Sequence, residues 1–448
     1  MRNLLLIFLL SAAPLGAAEL RAGVAKADLD PPVGAPMAGY GSARFATGTF
    51  DPLEARVLAL SDGARTIALV TLDLCFTFDE KVMNQIREQV RPAVDEVIFH
   101  ASHTHSGPTY SEVPDALQHA APRMVTAIKS AASSMTAAKI GTGWGETYLG
   151  FNRRYVELDG AVRMFWRNEE KISTTFPVDP TVGVIRVDHA DGSPLAILVN
   201  YACHPVVFGP DNLKYSADYP SEMRRSIEQQ IGKGSMAFFL QGAPGDINPY
   251  FDKTPLIEDA VNVMKQTGEK LAMEAVRVAK TIQTQSPKTP KIQSKTVVLE
   301  VANRWNAEKL QAEMKARYPS SSGIARRLIV KEMQMPVTTL LLNFGSPDRD
   351  LAFVGFPGEP FVEFQMQWRA KSPVPASFFL GYTNGYYAYF PTIAAAARGG
   401  YGANSTVNPS EVGTGERMLD TGLISLYELL GVLSKTPGKP RELQHSPQ

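Results

Sequence analysis

Two imidazoles stand one residue apart in His103-Thr104-His105, after the apolar run Val97-Ile98-Phe99 and before Ser106-Gly107-Pro108. On an extended backbone, side chains at i and i+2 point to the same side, and a Gly-Pro pair ends a strand. The spacing therefore predicts two nitrogen donors presented together at a strand end, where binding loops usually lie. The chain has seven histidines, and His100, His103 and His105 fall within six residues. A hydrolytic metal site wants three protein ligands and one open position for water. His103, His204 in Cys203-His204-Pro205 and Glu359 in Gly358-Glu359-Pro360 would supply that set from three separate strand ends. His105 would then serve as general acid or base.

Each residue also has a plainer reading. His204 can close a strand through a backbone hydrogen bond, and Glu359 can cap a helix that starts near Phe361. Asp73 and Asp246 can orient histidines from behind or only close turns. His100, His119, His189 and His445 read as structural or surface residues. There is no G-x-S-x-G elbow, and no H-E-x-x-H helix or P-loop.

Strands and helices must alternate to hold such groups. Strand-like runs are Thr66–Leu72, Val97–Phe99, Leu195–Val199, Ala237–Leu240 and Leu351–Val354. Apolar residues at three- and four-residue spacing predict helices over Lys81–Val90, Arg123–Met135, Pro220–Ile231 and Leu256–Val278; a last helix is expected over Thr414–Leu430. The alternation predicts an α/β fold of mixed β-sheets flanked by helices. Hairpin-like pieces near Gly141–Leu149 and Val182–Val187 make the sheet mixed. Each strand-like run leads into a Gly-, Pro-, His- or Asp-bearing loop, and in open α/β sheets ligands bind beyond the carboxyl ends of strands. Convergence of those five ends on one metal site is the expectation. Ser286–Lys291 reads as a linker.

The N-terminus reads as a secretory signal over 1–18: Arg2, the apolar run Leu4–Leu10 and small residues before Glu19. The apolar run is too short to span a membrane, so no transmembrane segment is expected and the destination is periplasmic or extracellular. Residues 19–436 are expected to form the folded part and 437–448 a disordered tail. Charge is balanced, with 45 basic and 45 acidic side chains and no basic run, which argues against nucleic acid as a partner. Cys75 and Cys203 are the only cysteines. Their apolar surroundings favour two buried thiols, a disulfide being the alternative in an oxidising compartment.

Seven segments in order resemble the neutral/alkaline, non-lysosomal ceramidase family. They are Gly23–Leu29 through Gly39-Tyr40, Ala101–Pro108, Phe151–Arg154, Ala202–Pro205, Ser216–Pro220, Gly358-Glu359, and the tyrosine region Tyr386–Thr392 with Tyr401–Thr406. The resemblance implies one Zn2+ per chain held by His103, His204, Glu359 and Tyr389; only the motif, not any periodicity, selects Tyr389 over Tyr386 and Tyr387. It implies that His105 sits by the reacting amide, that Tyr401 helps stabilise the oxyanion and that Arg153 lines the site. The implied reaction is metal-assisted hydrolysis of an N-acyl amide, in ceramide or a related lipid-like substrate, with His105 moving the proton and the oxyanion held electrostatically.

Two departures bear on the substrate. By the resemblance, Asn248 is expected to stand where the family's ceramidases carry a serine, and with the sequence ending soon after Leu430 their C-terminal immunoglobulin-like domain is not expected here. Kinship of fold does not fix substrate. An ester or another amide on the same site, or a non-catalytic binding protein on this scaffold, are the alternatives.

Overall fold

The computed structural model describes residues 19–29, 31–41, 43–168, 175–232, 234–306, 331–405 and 407–433. The expected leader, the expected tail and His445 lie outside them. The strands of a first sheet are β1 (Arg21–Asp28), β2 (Glu54–Ser61), β3 (Thr66–Leu72), β4 (Glu96–Ala101), β5 (Thr136–Glu146), β6 (Thr181–His189), β7 (Pro194–Tyr201) and β8 (Met236–Gln241). Their spatial order is β8-β7-β6-β5-β1-β2-β3-β4. A second sheet holds β9 (Lys291–Ala302), β10 (Glu332–Asn343), β11 (Leu351–Gly355) and β12 (Ala376–Leu380), side by side in that order. The helices are α1 (Glu80–Val90), α2 (Pro114–Ser133), α3 (Tyr219–Ile231), α4 (Ala260–Thr281), α5 (Val362–Lys371), α6 (Ile393–Arg398) and α7 (Thr414–Leu429).

The mixed α/β class is as the sequence predicts, with a layer it did not announce. Side chains alternate between the faces of a strand, and here both faces are buried. Val57, Val70, Phe99, Val184, Val199 and Phe239 face helices α1 to α4. Leu58, Leu69, Ile98, Ile185, Leu198 and Phe238 face Leu340, Leu342, Phe353 and Phe378 of the second sheet. The other face of that second sheet, with Leu341 and Val354, packs on Phe364 and Trp368 of α5 and Met418 and Leu426 of α7. The order of layers is helix, sheet, sheet, helix. Strands buried on both faces read as unbroken apolar runs, which is why the sheet-on-sheet packing was not legible.

Within these two sheets three pairs are parallel, and each is a β-α-β unit: β3-α1-β4, β7-α3-β8 and β11-α5-β12. The first sheet is hinged at β1 and β5, which share two residue pairs, Arg21↔Ala137 and Ala22↔Thr136. Its two far edges come together again, and the Gln241 N–H donates to His100 Nε2 at 2.8 Å. The carboxyl ends of all six parallel strands thus open on one side of the molecule.

Ser286–Lys291 does not separate two bodies, because the two sheets it connects share a core. It runs directly into β9, whose Ile292 N–H donates to Asp62 Oδ2 at 2.7 Å. Asp73 orients no histidine; its buried carboxylate accepts from the two terminal nitrogens of the buried Arg224 guanidinium, at 2.5 and 2.7 Å. His100 is structural, buried between Gln241 and Thr383. No helix among the described residues is long and apolar enough to cross a membrane.

Candidate metal centre

The two motif histidines lie beyond the strand rather than on it. β4 ends at Ala101, and His103 adopts a left-handed backbone with φ +70°, a conformation uncommon for a residue with a side chain. The extended i, i+2 argument therefore fails here. The rings still meet, Nε2 to Nε2 at 3.1 Å, because the bend turns both inward. The His103 N–H donates to Leu74 O at 2.8 Å, and its ring stacks on Tyr382, with centroids 4.1 Å apart. His105 is braced edge-on by Tyr40 at 4.8 Å. Gly39 makes room for it: a Cβ there would stand 2.3 Å from His105 Cγ.

Three donor atoms converge because their neighbours are already occupied. His103 Nδ1–H donates to the Cys75 carbonyl at 2.8 Å and His204 Nδ1–H to the Ile247 carbonyl at 2.9 Å. Each ring thereby keeps its Nε2 lone pair. The Tyr386 hydroxyl donates to Glu359 Oε1 at 2.6 Å, leaving Oε2 free. Glu359 Oε2 lies 3.5 Å from His103 Nε2 and 3.3 Å from His204 Nε2. Two ligands placed 2.0–2.1 Å from a tetrahedral zinc would stand about 3.3 Å apart, so the set fits that ion. All three side chains are buried. A second grouping, Cys75 with His103 and His105, is a poorer one. Burial pushes the Cys75 thiol up, and the His103 nitrogen that faces it already donates to a carbonyl. Cys75 and Cys203 are both free and buried.

Backbone carbonyls, not carboxylates, thus orient the histidines. Asp246 instead caps α5, accepting from the Val362 N–H at 2.9 Å and from Asn152 Nδ2 at 2.6 Å. Glu359 is not that cap.

Burial works against the Glu359 carboxylate, but His103 and His204 outweigh it and hold the group well below the usual carboxylate range. Burial, aided by Arg153, pushes His204 down to about 4. Burial, with His103 and His204 beside it, holds His105 well below the ordinary imidazole value. Deprotonated ligands are the state a metal requires.

The remaining residues line the same cleft, which has about 430 Å³ of room. Glu359 and Tyr389 are register partners on a two-residue parallel ladder. Arg153 sits against Asn248 because Gly150–Asn152 pairs with Ile247–Pro249. Its guanidinium donates to Asn248 Oδ1 at 3.2 Å, to Gly245 O at 2.7 Å and to the Tyr389 hydroxyl at 3.2 Å. Burial disfavours that cation, but Tyr389, Tyr401 and Glu359 more than restore it. Burial and Glu359 raise the Tyr389 phenol well above its ordinary value, and Arg153 works the other way. Tyr401 packs edge-on against Tyr389 at 5.5 Å and is 38% exposed at the mouth. His103, His105, His204, Glu359, Arg153, Tyr389 and Tyr401 therefore share one cleft. Sequence reasoning passed over Tyr386, although it lies in the same tyrosine cluster, and also Tyr382, Trp166 and Lys253.

No family model matches the chain. The structure is similar to that of neutral ceramidase from Pseudomonas aeruginosa, with a TM-score of 0.73 and 17% identity over 94% of this chain and 76% of that one. It is also similar to a ceramidase complexed with C2, with a TM-score of 0.71 and 16% identity over the same shares. At these identities the likeness establishes a ceramidase-like fold.

Proposed function

We propose that the chain is a zinc-dependent hydrolase of an N-acyl amide, exported by the leader at 1–18. The observation that carries this reading is the convergence of His103 Nε2, His204 Nε2 and Glu359 Oε2, each left free because its companion atom is engaged. The ceramidase-like fold supports amide rather than ester chemistry. Tyr389, register partner of Glu359, would be the fourth ligand. The chemistry that zinc supplies when bound is polarisation of the acyl carbonyl and acidification of water.

The chain's own groups do the rest. His105, neutral and facing His103, takes the proton of the attacking water and returns it to the leaving nitrogen. Water oxygen joins the acyl carbon as the C–N bond breaks, giving a carboxylate and an amine. Arg153 fixes the Tyr389 hydroxyl, and Tyr401 at the mouth of the cleft faces the developing oxyanion.

The test is metal content of the mature protein together with hydrolysis of a fluorogenic short-chain ceramide and of simpler N-acyl amides, with and without chelator. About one zinc per chain with chelator-sensitive cleavage is the expected result. No zinc in folded, reconstituted protein would defeat the reading and favour a binding protein. N-terminal sequencing of exported protein should begin near Glu19.

A further inference from the structure

The cleft wall carries a cation that the hydrolytic chemistry does not use. Lys253 lines the cleft, whereas its counter-ion Asp252 does not. Asp252 is fully buried behind the wall, with oxygens that receive Lys253 Nζ at 2.7 and 2.9 Å and Asn248 Nδ2 at 2.6 Å. The Asn248 amide is thus engaged at both ends, on Asp252 and on Arg153. The Lys253 side chain is 26% exposed. Its ammonium lies 3.9 Å from the Trp166 ring centroid and 5.9 Å from that of Tyr40, and both rings also line the cleft. Tyr40 is the ring that braces His105, so Lys253 lies one aromatic ring from the group that protonates the leaving nitrogen. Its backbone is left-handed, with φ +51°, and is pinned by its N–H to Val206 O at 2.8 Å.

The charges facing the cleft are unequal. Among the described lining residues Glu359 is the one carboxylate, and its oxygens are turned to Tyr386 and to the two imidazoles. Arg153 and Lys253 are both cations. Asp252 takes two of the three ammonium protons of Lys253, and a cation near His105, flanked by aromatic faces, suits an anionic oxygen better than a hydroxyl.

We propose that Lys253 is a specificity residue that binds a carboxylate borne by the amine half of the substrate, so that the preferred substrates are N-acyl amino acids rather than uncharged acyl amides. This rests on the amide-hydrolase reading above and names the substrate class for it.

The test compares N-dodecanoylglycine with N-dodecanoylethanolamine, amides of one chain length that differ in ending on carboxylate or hydroxymethyl. Hydrolysis and calorimetric binding are both measured on the zinc-loaded protein, for wild type, Lys253→Met and Lys253→Arg. Wild type is expected to favour the glycine amide. In Lys253→Met the ratio of the two kcat/KM values should fall about 10- to 100-fold, the worth of one charge-assisted hydrogen bond, mainly through KM. Lys253→Arg should keep most of the preference. Equal use of both amides by wild type, or a Lys253→Met loss that leaves the ratio intact, would overturn the proposal while sparing the hydrolase reading. Preferential binding of the glycine amide that depends on Lys253, with cleavage of neither amide, would uphold Lys253 and defeat the hydrolase reading.

Discussion

Tyr386 donates its hydroxyl to Glu359 Oε1 at 2.6 Å, and that bond decides which carboxylate oxygen is presented to His103 and His204. Burial and the Glu359 charge raise the Tyr386 phenol well above its ordinary value, so it remains a donor. Partners that orient a metal ligand are commonly worth 10- to 100-fold in affinity. Tyr386→Phe should therefore weaken zinc binding by about that factor, read by competition with a chromophoric chelator. An unchanged zinc affinity would remove Tyr386 from this role.

Tyr401 is expected to behave differently. It is half-exposed at the cleft mouth and contacts Tyr389 through its ring edge. Tyr401→Phe should leave zinc content near wild type and lower kcat about 10²-fold, the usual loss for one oxyanion donor. Unchanged turnover would exclude it from oxyanion stabilisation.

Gly39 offers a probe of His105 that leaves the imidazole in place. Its φ of +99° and a virtual Cβ 2.3 Å from His105 Cγ mean that Gly39→Ala must displace the ring near its root. Misplacing a reacting group by about 1 Å can cost 10²-fold in rate. A comparable fall in kcat with zinc retained is expected, and a fully active Gly39→Ala would show that His105 need not be held so closely.

Acid should weaken the fold through His100. Burial lowers this imidazole from 6.5 to about 3, against a small opposing effect of the Gly381 backbone. The unfolded chain therefore binds a proton below pH 6.5 that the native state refuses. The stability contributed is complete above 6.5 and is lost as pH falls toward 3, on the order of 5 kcal/mol over the whole window. Burial raises Asp51 to about 6 and Asp218 to about 7, and these carboxyls titrate with the opposite sign. Urea unfolding of wild type against His100→Gln across pH 4–7 isolates the imidazole; parallel curves would rule it out.

Much of the positioning was legible from local pattern. Thr66–Leu72 coincides with β3, and four other runs sit inside their strands, because buried β-branched and aromatic runs bounded by turn residues leave few alternatives. β9 and β10 escaped notice. β9 alternates exposed Thr296, Val298 and Glu300 with half-buried Lys295, Val297 and Leu299, and it lies at an edge where polar residues blunt unpaired backbone. In the site, the closely spaced histidines were legible, whereas Glu359 read first as a helix cap and only the resemblance made it a ligand; Tyr386 lies between left-handed residues Asn384 and Ala388, with φ of +55° and +61°, and Lys253 has φ +51°, turns that no periodicity encodes. Of the two readings open for Asp73 and Asp246, orienting a histidine failed for a related reason: carbonyls 28 residues from His103 and 43 from His204 do that work, and every residue has a carbonyl.

The donor triad spans the seam between the two sheets. His103 and His204 hang from the first sheet and Glu359 from the second, with 155 residues between the last two. In the unfolded chain these donors are scattered, so an ion held by all three binds only the assembled molecule and converts its own concentration into stability, about 4 kcal/mol at a thousand times its dissociation constant. On the metal-site reading proposed above, a chain that folds where the ion is scarce would lack the clasp between its two sheets as well as its chemistry, and scarcity would act on survival of the fold before it touched turnover.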